Sequence, residues 1–100
     1  MTKTEKEILE VAAYVDIFSA WKHAWENVKG KGYVMGKRSL NAAKKLEEKG
    51  ILCVFNEDHK NNSASYIVKN HTLLRQNMDE STYNDIRDSA RTNGENKSNR

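Results

Sequence analysis

The chain is 100 residues long, 37% hydrophobic and 31% charged, with a formal net charge of +3. That length supports one compact domain rather than two and leaves little material for a cleft in which several catalytic groups converge. The single cysteine, Cys53, excludes an intrachain disulfide; the charged stretch from Thr2 to Glu10 does not read as a signal peptide, and no apolar run approaches the ~20 residues of a membrane span, so the expectation is a cytoplasmic protein with no membrane partner.

In chain order, Thr4 followed by Glu7 reads as a capping box. Behind it Val11, Tyr14, Phe18, Trp21, Trp25 and Val28 fall at alternating spacings of three and four, a heptad seam whose flanks are widened by Ile8, Val15, Ile17 and Ala24. A long helix over residues 4–28 is expected, with a break near Asp16 or Ser19 as the alternative. The seam is either ordinary core or an interface between two copies, with Tyr14, Phe18, Trp21 and Trp25 as the contact residues.

Tyr33, Val34 and Met35 lie between glycines and form either a short strand or an extended linker. A second helix is then expected over 38–49. Ser39 is a good N-cap, Leu40, Ala43 and Leu46 share one face, and Gly50 with Ile51 is the signature of a glycine-terminated stop. Residues 51–55 and 65–69 are β-type runs. The polar stretch 56–64 between them makes a two-stranded hairpin. Beyond Asn70 a helical segment starting at Thr72 or Asp79 carries a thin stripe of Tyr83, Ile86 and Ala90. A single domain over 1–92 is expected, with residues 93–100 as a disordered polar tail.

The positive charge is concentrated. Residues 29–49 hold seven basic side chains against two acidic ones, whereas residues 1–28 hold three against five. A localised basic stretch is the footprint of a polyanion binder or, equally, a solvated lysine-rich face. Catalytic and metal readings find no support. His23, His59 and His71 lack metal-site spacing, Gly30-Lys31-Gly32 lacks the flanks of a phosphate loop, and Cys53, between Leu52 and Val54, is expected to be buried and inert. No cofactor, metal or small-molecule substrate is implied.

The order of basic helix, glycine stop, strand, polar loop and strand, carried by residues 39–52 (SLNAAKKLEEKGIL), resembles the recognition helix and wing of winged-helix regulators. The nine residues from Lys29 to Lys37, with three glycines, depart from the tight turn that precedes the recognition helix in that family; reduced versions occur in phage and plasmid proteins. The resemblance implies an α+β winged-helix homodimer that binds double-stranded DNA as a small transcriptional regulator. In a major groove about 12 Å wide, Arg38, Asn41 and Lys45 would meet base edges. Lys37, Lys44 and the Ser39 helix start would meet phosphates, and His59, Lys60, Asn61 and Asn62 would sit at the wing tip. The rival reading is a protein-binding module that presents the aromatic seam of the first helix to a partner.

Overall fold

The computed structural model describes residues 1–22 and 30–98. Within them lie α1 (Lys3–Lys22), β1 (Lys31–Met35), α2 (Lys37–Glu48), β2 (Leu52–Asp58), β3 (Ser63–Val68), α3 (His71–Gln76) and α4 (Glu80–Ser98). The fold is α+β, with four helices and a three-stranded antiparallel sheet of order β1-β3-β2. No helix among the described residues is long and apolar enough to cross a membrane.

α1 is the centre of the packing and lies against α2, β1, β3, α3 and α4. Its cap sits two residues earlier than the Thr4–Glu7 spacing suggests: Thr2 Oγ1 accepts the Glu5 backbone N–H at 3.2 Å, the same three-residue spacing in an earlier register. The buried stripe also differs from the expected seam. It consists of Ile8, Leu9, Ala12, Ala13 and Ile17, while Val11 remains 53% exposed. A helix flanked on several sides buries more than one row, and alanines at positions 12 and 13 let neighbouring backbones come close. The expected continuation of this helix beyond Lys22, with Trp25 and Val28, lies outside the described residues.

The segment Tyr33–Met35 is strand rather than linker, so the sheet has three strands where a two-stranded hairpin was expected. β1 pairs with β3 and places Gly32 directly opposite Tyr66. A methyl group at Gly32 would overlap the Tyr66 ring, which packs across the strand in its place. Tyr66 is 2% exposed, and burial pushes its phenol up to about 12.

α2 begins earlier than Ser39. Its N-cap is Gly36, at φ 102 and ψ 146, with no capping side chain, and the positive φ turns the chain straight from β1 into the helix. Ser39 is the third helical residue. The far end follows the sequence expectation: Ile51 N–H reaches Leu46 O (3.1 Å) and Gly50 N–H reaches Glu47 O (2.9 Å), with Gly50 at φ 81, a complete Schellman stop. Leu46 and Ile51 are both fully buried, each worth roughly 1.5–3 kcal/mol in transferred apolar surface.

The hairpin strands reach further into the polar segment than residues 51–55 and 65–69. β2 runs to Asp58 and β3 starts at Ser63, leaving only residues 59–62 as the tip. The added length is absorbed by a register shift between Phe55 and Asp58, with Asn56 at φ 53. Pairing of Ser63 and Ala64 with β1 draws these polar and small residues into the ladder.

After β3 there are two helices. Asn70 caps α3 by accepting the Leu73 N–H (3.0 Å), and Asp79 caps α4 by accepting the Thr82 N–H (3.1 Å). Tyr83 and Ala90 are buried and Ile86 is partly buried, so the thin stripe is the packing face. α4 extends to Ser98, well into the stretch expected to be a disordered tail.

Candidate functional site

The concentrated positive charge becomes a surface where α1 and α2 meet. Lys37, Arg38, Asn41 and Lys45 are exposed along α2, while Leu40, Ala43 and Leu46 hold its opposite side in the core. Alongside lies the first turn of α1. The groove between the two helices has a volume of about 650 Å³ and is lined by Thr2, Lys3, Thr4 and Glu5 from α1 and by Lys37, Arg38, Asn41, Ala42 and Lys45 from α2. Four cations therefore face one concavity, and Lys3 joins them from a segment the sequence reading assigned no binding role. Its signal was present only as three-dimensional proximity: more than thirty residues separate it from Lys37.

Among the described residues one acid lines the groove, and its charge is committed elsewhere. Glu5 is 3% exposed and accepts from Lys49 Nζ at 3.3 Å. Burial raises its carboxyl pKa, but the Lys49 hydrogen bond and charge, with smaller help from Thr2 and Lys45, outweigh that and hold it below its ordinary value. The ion pair also ties the start of α1 to the C-terminal end of α2. At the opposite end of α2, the amides of Lys37, Arg38 and Ser39 precede the first intrahelical bond, from Leu40 N–H to Gly36 O (2.9 Å), and Gly36 brings no side chain to satisfy them.

Lys44 is placed differently from its neighbours. Its ammonium bonds Glu57 Oε2 at 3.1 Å and lies 3.5 Å from Glu47 Oε1, and the Glu57 hydrogen bond leads the causes that raise its pKa. Lys44 thus leans toward the hairpin and away from the groove. Glu47 uses its other oxygen to accept the Val54 N–H at 2.8 Å.

At the hairpin tip, Asp58 accepts the backbone N–H groups of Lys60 (3.1 Å) and Asn61 (3.2 Å) and the Asn61 side-chain amide (2.7 Å). These bonds, the Asn61 side chain first, depress the Asp58 pKa. Asn62 sits at φ 52 and serves the turn. His59, Lys60 and Asn61 are all exposed at this tip, Asn61 being also bonded to Asp58, while Asn62 is partly buried. His59 lies 3.8 Å from Glu57.

The aromatic seam of α1 meets α4. Tyr14 stacks on Phe18 with ring centroids 5.9 Å apart, and its hydroxyl accepts from Asn93 Nδ2 at 2.7 Å. Arg91 lies over the Trp21 ring, 4.7 Å from its centroid, leaving Trp21 39% exposed. Trp25 is outside the described residues. Cys53 is half-buried rather than buried, because Leu52 and Val54 take the core side of β2 and turn Cys53 to the other face of the sheet.

A further cluster was not foreseen. His71 Nδ1 lies 2.7 Å from Asp16 Oδ2, and Nε2 lies 2.6 Å from Tyr83 Oη. In the tautomer whose Nδ1–H donates to the carboxylate, Nε2 accepts a hydrogen bond from the Tyr83 hydroxyl. The three residues join α1, α3 and α4, and Arg75 stacks over the Tyr83 ring at 4.9 Å. No group of three or more His, Cys, Asp or Glu side chains among the described residues is arranged to hold a metal ion.

No family model matches this sequence, and neither a curated protein nor a solved structure was found to be similar to it.

Proposed function

We propose that this is a small double-stranded-DNA-binding protein of winged-helix type, in which α2 enters the major groove and the β2–β3 hairpin is the wing. The observation that carries this reading is the convergence of Lys3, Lys37, Arg38 and Lys45 on one groove whose single acid, Glu5, is already paired with Lys49. Arg38 and Asn41 have the chemistry for guanine and adenine edges. Lys3, Lys37, Lys45 and the free amides at the start of α2 suit backbone phosphates, which position a protein without reading sequence. Lys60 and His59 at the wing tip suit the adjacent backbone or minor groove. The function is that of a regulator or other DNA-binding factor acting as a homodimer.

Titration of a labelled duplex at several salt concentrations tests the reading. The logarithm of the binding constant falls linearly with the logarithm of salt, by about 0.9 per phosphate contacted. Absence of binding at low salt overturns it.

A further inference from the structure

The two edges of the sheet are treated differently. At the β2 edge the Val54 N–H is occupied by Glu47, α2 packs alongside, and the register shift with Asn56 at φ 53 bends the strand. These are the devices by which natural sheets stop an edge from pairing. Among the described residues the β1 edge has no occupied outward N–H and no register shift, although α1 and α2 also pack against the strand. Gly36 N–H bonds Asn62 O at 2.8 Å, so Gly32 and Val34, which share its parity, direct their backbone groups to β3. The N–H and C=O groups of Lys31, Tyr33 and Met35 point the other way, where they have no hydrogen-bond partner among the described residues. The same residues carry the exposed side chains of the strand, with Tyr33 at 60% and Met35 at 65%. The only charge on the strand is Lys31.

We propose that this edge is a self-association surface, with β1 pairing antiparallel to β1 of a second copy about a two-fold axis at Tyr33. The strand is self-complementary in that register. Tyr33 meets its own copy, and Lys31 meets Met35 of the second chain at both ends, so no like charges oppose one another and the lysine stem lies along the thioether. The unpaired backbone groups of both strands are satisfied, and two three-stranded sheets become one of six strands. The interface is distinct from the α1 seam, against which α4 packs, and it gives the proposed homodimer a contact surface without depending on DNA binding. A five-residue strand buries less than the ~1,000 Å² of a standard stable interface, so the dimer dissociates on dilution.

Sedimentation velocity of the full chain over a range of concentrations tests this, with circular dichroism to show that each variant is folded. The wild type sediments as a concentration-dependent dimer. Met35→Lys sets two ammonium groups against each other at both ends of the pairing and gives a monomer. Adding Lys31→Glu to that variant turns both contacts into opposite-charge pairs and restores the dimer. Trp21→Ala leaves the dimer intact. A wild type that stays monomeric at ~100 µM, a Met35→Lys variant that remains dimeric, or a double variant that stays monomeric overturns the proposal.

Discussion

The two ends of α1 face different neighbours. The N-terminal end borders α2 across an open groove, where four cations are left facing solvent and the one acid is neutralised by Lys49. The C-terminal end is closed by α4, with Tyr14 bonded to Asn93, Trp21 beneath Arg91, and Asp16 joined through His71 to Tyr83. The contrast is between charges left facing an open groove and polar groups consumed within the fold. A rigid helix with one end locked presents its other end at a fixed angle.

Substitutions test this division, the largest effects coming from the shared core. Leu46→Ala removes the buried floor of α2 and is expected to cost ~2–5 kcal/mol of stability, with DNA affinity lost together with the fold in thermal melts and titrations. At the closed end, His71→Leu leaves Asp16 and Tyr83 without their shared partner. It should lower the unfolding free energy by roughly 1–3 kcal/mol while leaving DNA affinity unchanged where the chain is folded. At the open end the pattern reverses. Arg38→Ala should weaken duplex binding by about 1–3 kcal/mol and shift stability by less than ~0.5 kcal/mol. A variant at either end that moves both quantities breaks the division.

Acid sharpens the comparison. The Glu5 carboxyl is held below its ordinary value of 4.5 in the folded chain, so its contribution is fully present above that value and is lost as pH falls through the lower, folded value. Denaturant titrations between about pH 5 and 2 should show stability falling with a smaller slope in Glu5→Gln than in the wild type. The finest test concerns adjacent lysines. Lys45→Ala should reduce the salt slope of DNA binding by about one contact, and Lys44→Ala by less, because Glu57 and Glu47 already hold that ammonium. Equal slopes would mean that Lys44 leaves Glu57 when DNA binds.

What could be read in the sequence was what local chemistry decides. The buried face of α2 and its stop at Gly50 depend on residues within one or two turns, and both are found as expected. The start of α2 was missed because Ser39 is a good cap in isolation, whereas the chain leaving β1 needs the positive φ that only Gly36 supplies cheaply. The buried stripe of α1 was legible in part: Ile8 and Ile17 are buried and Tyr14 and Phe18 pack against the core, whereas Leu9, Ala12 and Ala13 are outweighed in the pattern by the large aromatics. Lys3 in the groove and the Asp16–His71–Tyr83 chain depend on long-range proximity, and no short spacing announces them. Of the proposed contacts, Arg38, Asn41 and Lys45 share a face, whereas at the tip Asn61 is exposed but bonded to Asp58 and Asn62 holds a turn with φ 52.

The bond between Tyr14 and Asn93 spans 79 residues and has a consequence for synthesis. As the chain emerges from the ribosome, the first helix is complete long before the last one exists. The aromatic side of α1 lacks its packing partner until residues 80–98 have been made. Closure of this packing therefore couples α1 to α4, and a nascent chain stalled before α4 should engage chaperones more than one in which α4 has been made.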